Sequence, residues 1–141
     1  MLFRSDNFEL RCSLPDEDEK PEMEFYEIFI KIAKRDAALA VKIWGWCLEV
    51  FGDYVEFDEY AANSLSQDVF YRIDSLPNRK TVTRQLVQHM EENPDFCKKV
   101  MSLSKEYCYG ISEFIAAALL EKQYAAAETM FKSELYKVRD D

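Results

Sequence analysis

The chain has 141 residues with 18 bases against 27 acids, a net charge of −9, and a hydrophobic share of 48%. That mix describes one folded domain, or a small domain with an arm, and is too apolar for a disordered chain. The three glycines stand apart at Gly45, Gly52 and Gly110, which excludes a Gly-rich phosphate loop, and a single histidine removes most His-based metal and triad chemistry. So few glycines and prolines also argue against a many-stranded sandwich or barrel.

Residues 1–20 read as an N-terminal arm. Phe3, Phe8, Leu10 and Leu14 follow no sustained helical period, and 16–20 form an acidic linker too charged to bury. From Pro21 to the end the chain reads as a single helical domain. Pro21 suits a first helical position, with Glu22 and Glu24 at the positive end of the helix dipole. Phe25, Ile28, Phe29 and Ile32 then make one apolar stripe. Asp36 is placed to cap a second helix over 37–51. In that stretch only Lys42, Gly45 and Glu49 are not apolar, and they fall on one narrow strip. A helix apolar nearly all round has to be covered on several sides, so this one is expected at the centre, ending at Gly52-Asp53.

A third helix is predicted over 57–75, on a row of Phe57, Ala61, Leu65, Val69, Ile73 and Leu76, until Pro77-Asn78 breaks it. A fourth covers 79–92, with Val82, Leu86, Val87 and Met90 on its apolar face. Asn93-Pro94 opens a fifth over 94–108, which Gly110 stops. The sixth, 111–122, and the seventh, 123–138, leave only Glu121-Lys122-Gln123 for a turn and should form a tight hairpin. The seventh is expected to bury Ala127, Met130, Phe131, Leu135 and Val138. The spacing of Ala37, Ala40 and Trp44, repeated by Tyr124, Ala127 and Phe131, resembles the second helix of a tetratricopeptide unit. That resemblance implies close helix packing and nothing about activity. The fold class is therefore all-α, about seven helices in antiparallel hairpins, as a compact bundle or a short right-handed repeat-like stack.

The acidity is uneven. Residues 49–70 carry Glu49, Asp53, Glu56, Asp58, Glu59 and Asp68 with no base, whereas 71–105 is net basic. Acids dominate the chain, so its overall field opposes nucleic acid and anionic membrane and favours a partner with a basic surface. Cys12, Cys47, Cys97 and Cys108 form no Cys-x-x-Cys pair, and no apolar run reaches the ~20 residues of a membrane span. With no secretory signal at the start, reduced thiols and a cytoplasmic setting are expected. His89-x-x-Glu92 shares a helix face, but two ligands make no metal site, and neighbouring carboxylates such as Asp58 and Glu59 point in different directions. The expectation is accordingly a non-enzymatic protein-interaction module without cofactor or metal. Its partner-binding face is expected at Asp53, Tyr54, Glu56, Asp58, Glu59 and Tyr60, or in a groove between helices. The alternative is a small acidic inhibitor of the immunity or phage-antagonist type, covering the basic site of a nuclease or DNA-binding protein.

Overall fold

The computed structural model describes residues 24–55, 58–104, 108 and 110–140, and the expected arm at 1–20 lies outside them. Among the described residues there are eight helices: α1 (Phe25–Ala33), α2 (Ala37–Val55), α3 (Glu59–Ser64), α4 (Gln67–Ile73), α5 (Arg79–Glu92), α6 (Pro94–Leu103), α7 (Ile111–Leu120) and α8 (Tyr124–Asp140). The all-α expectation is met. The helices form a bundle. α5 touches α2, α4, α6, α7 and α8, while α6 reaches α8 and α1 reaches α4. A repeat stack would confine each unit to its sequence neighbours.

Local chemistry sets the starts and stops. Glu24 and Glu27 form a reciprocal capping box on α1, with the Glu24 backbone N–H donating to Glu27 Oε1 at 3.2 Å. Asp36 caps α2 by accepting the Leu39 N–H at 3.0 Å. The turn between α7 and α8 is a Schellman closure: Lys122 N–H donates to Leu119 O and Gln123 N–H to Ala118 O, with Lys122 at φ 59°. The first turn of α8 then receives a cap from another helix, as the Ala126 N–H donates to Glu91 Oε1 on α5 at 2.9 Å.

Trp44 is the hub of the core. It is 0% exposed, and its ring meets Phe29 of α1, Phe70 of α4 and Phe96 of α6 edge-on, with centroids 5.4–5.5 Å away. Phe70 passes the contact on to Phe114 of α7 at 5.0 Å. Such edge-to-face pairs each add about 0.5–1.5 kcal/mol beyond area burial. The Trp44 indole N–H donates to Leu65 O at 2.8 Å.

That bond lies where the structure departs from the sequence reading. The helix predicted over 57–75 is two helices, α3 and α4, broken at Leu65-Ser66. Ser66 leaves the helical region (φ −144°, ψ −85°), and the Leu65 carbonyl turns to the indole. The apolar row survives the break, because Ala61, Leu65, Val69, Ile73 and Leu76 are all buried. Three further boundaries differ. α1 starts at Phe25. α2 runs through Gly52 to Val55. α6 stops at Leu103, five residues early, so Gly110 (φ 74°) serves as the residue before α7 and not as the stop of α6.

Two orientations also differ. α2 is covered by α1, α3, α5 and α6, yet Trp46 and Val50 are 56% and 67% exposed, so it is not sheathed all round. On α8, Ala127 and Met130 are buried as expected, but Phe131 and Leu135 face solvent. The repeated small-then-aromatic pattern thus points inward at Trp44 and outward at Phe131. The side chain of Val138 lies outside the described residues.

A candidate docking groove between α2, α5 and α6

The strip of Lys42, Gly45 and Glu49 on α2 faces the junction of α5 and α6. Together with Trp46, Asp53, His89, Glu92, Asp95 and Phe96 it lines a groove of about 940 Å³. The two glycines of α2 let side chains of α5 and α6 lie directly against the helix. A methyl group at Gly45 would lie 3.3 Å from His89 Nε2, and one at Gly52 would lie 2.7 Å from Lys99 Cε. Gly52 is therefore not a helix stop. Its missing side chain lets the Lys99 stem cross α2 and bring Nζ to Asp53 Oδ1 at 2.7 Å.

His89 forms one wall. Its ring stands edge-on to Phe96, with centroids 4.7 Å apart, and Asn93 Nδ2 lies 3.4 Å from Nδ1. The same amide nitrogen donates to His89 O at 3.0 Å, which fixes its orientation. With its proton on Nε2, the neutral ring accepts the Asn93 Nδ2 contact at Nδ1. Burial pushes the His89 pKa below the usual 6.5, against an upward pull from Glu92 and with a further downward push from Lys42. Asn93 stands at the cap position of α6 as expected, but its side chain bonds back to α5 and makes no cap bond on α6.

The groove has an apolar floor and an acidic rim. Lys99 is committed to Asp53, which leaves Lys42 among Glu49, Glu92 and Asp95. The exposed indole of Trp46 stands beside them. Such a surface can seat an apolar side chain against Trp46 and the glycine floor and attract a cation at the rim. Among the described residues no group of three or more His, Cys, Asp and Glu side chains is arranged to hold a metal ion.

Of the face expected from sequence, Asp53 alone lines this groove. Asp58 is the cap of α3, accepting from the N–H groups of Tyr60 at 3.1 Å and Ala61 at 3.3 Å. Glu59 is exposed in the first turn of α3. Tyr60 is 65% exposed, and its hydroxyl donates to Glu24 Oε1 at 2.6 Å, joining α3 to the start of α1. Glu56 and the side chain of Tyr54 lie outside the described residues. The sequence reading missed Trp46, His89, Glu92 and Asp95. The available signal was the polar strip on α2, where Gly45 and Gly52 stand seven apart on one side of an otherwise apolar helix.

Cys47, Cys97 and Cys108 are buried. Burial, with Glu91 beside Cys97 and Glu134 beside Cys108, pushes both thiol pKa values up to about 12, so each stays protonated. Glu134 is itself 5% exposed. It accepts the Cys108 N–H at 3.3 Å and pairs with Lys137 at 3.4 Å, which ties the segment before α7 to α8. No helix of the described residues is long and apolar enough to cross a membrane. No protein-family model, no curated protein and no solved structure gives a significant match to this chain.

Proposed function

We propose that this protein is a non-enzymatic interaction module that takes a basic, apolar-anchored segment of a protein partner in the groove between α2, α5 and α6. The observation that carries the reading is Trp46, more than half exposed beside a glycine floor and an acidic rim. A large aromatic left open on a helix is a common anchor of interfaces. The protonated thiols of Cys97 and Cys108 and the walled histidine support a binding role over a catalytic one. The acidic excess of the chain supports a partner of opposite charge.

The test is selection of peptides from a random displayed library on the folded protein, followed by fluorescence titration. Trp44 is buried, so Trp46 is the indole that reports on the groove. The expected peptides combine Lys or Arg with an aromatic or aliphatic anchor and quench or shift the Trp46 emission. Trp46→Ala and Glu92→Lys should each weaken them at least about tenfold, consistent with loss of an interface anchor. Enriched peptides that bind both variants as well as the parent would overturn the groove assignment. Binding that vanishes at moderate salt whatever the anchor residue would point to the inhibitor reading, in which charge alone carries the contact.

A further inference from the structure

The outer side of α8 holds a second apolar surface, remote in sequence from the groove and independent of it. Tyr124, Phe131 and Leu135 are 61%, 56% and 55% exposed. They recur at i, i+7 and i+11 and so form one stripe along the helix. The closure at Lys122 brings Leu119, 51% exposed, to the Tyr124 end of that stripe, while Leu120 faces a cleft with Arg79 and Lys80 of α5. Glu128 and Lys132 flank it, both 63% exposed and 3.7 Å apart. We propose that this stripe is a homodimer interface, in which α8 packs antiparallel against α8 of a second copy about a two-fold axis near Met130 and Phe131.

Charge selects both the occupant and the direction. Two chains of −9 repel each other, so a self-contact needs a surface without net charge. The stripe meets that need, because the exposed charges beside it, Glu128 and Lys132, balance each other. Antiparallel packing sets Glu128 opposite Lys132 of the second copy, and the two-fold repeats that pair. Parallel packing would carry the two copies of this pair to opposite sides of the seam and leave it without a facing partner. In the antiparallel register Tyr124 falls beside Leu135 of the second copy and the two Phe131 rings meet near the axis. From ordinary side-chain sizes the four exposed residues offer on the order of 450 Å² per copy, about 900 Å² in all, the size of a weak, transient interface. The dimer is therefore expected to dissociate in the micromolar range.

Sedimentation velocity from about 1 to about 200 μM reads the mass directly. The expected result is a rise from one chain to two across that range. Phe131→Asp should remain a single chain at every concentration while keeping its helical circular dichroism, because the position is exposed. Lys132→Glu should weaken the dimer about tenfold by facing acid to acid, and Glu128→Lys combined with Lys132→Glu should restore it. A single chain at the highest concentration would overturn the proposal, and so would a dimer untouched by Phe131→Asp. A Lys132→Glu dimer as tight as the parent would refute the antiparallel register. The groove can fail or hold independently, since its variants lie on α2 and α5.

Discussion

The two tryptophans stand two residues apart on one helix, Trp44 facing the core and Trp46 facing solvent, which makes Trp44→Phe a sharp test of the fold. The substitution keeps an aromatic ring but removes the N–H that donates to Leu65 O at 2.8 Å. That carbonyl is at the break between α3 and α4, next to a fully buried Leu65. A buried acceptor left without a donor costs about 1–3 kcal/mol. The smaller ring also loosens the edge contacts to Phe29, Phe70 and Phe96, at about 1 kcal/mol more. The expected loss is about 2–4 kcal/mol, or a fall in Tm of roughly 6–16 °C for a domain of this size. Urea and thermal unfolding followed by far-UV circular dichroism measure it. Trp46→Phe is the control: exposed and off the core, it should change stability by less than about 0.5 kcal/mol. A Trp44→Phe protein as stable as that control would refute the view that the indole closes the core and holds the α3–α4 break.

Three other outcomes are expected. Lys122 adopts a left-handed conformation that costs a side-chain-bearing residue about 1 kcal/mol, so Lys122→Gly should raise stability by up to about that amount in urea unfolding. α5 opens with Arg79 and Lys80 at the positive end of its dipole, so Lys80→Glu should stabilise the protein by about 0.3–1 kcal/mol, and high salt should erase the gain. His89 holds its proton less tightly folded than unfolded, because burial disfavours the imidazolium. As pH falls through the usual 6.5 toward the lower folded value, the unfolded state binds more protons and stability is lost. Parallel unfolding of the parent and His89→Gln between about pH 8 and pH 5 should show that component in the parent alone.

The sequence by itself determined the helices. Its apolar rows, the cap at Asp36, the start at Pro94 and the three-residue turn after Leu120 are local signals, and each reports on the few residues around it. The same signals also named the residues of the groove floor, as the polar strip on α2, without showing what faces it. Only the tertiary structure decided the rest, because those features depend on groups far apart in the chain. The break at Leu65 needs an indole from 21 residues earlier. The role of Gly52 inside α2 depends on the Lys99 stem that lies against it. Phe131 and Leu135 were legible as apolar but not as exposed, since a helix with apolar residues over most of its circumference carries no mark of which arc its neighbours will cover. Exposure is set by packing between elements, and packing is the one quantity that periodicity along a single element cannot contain.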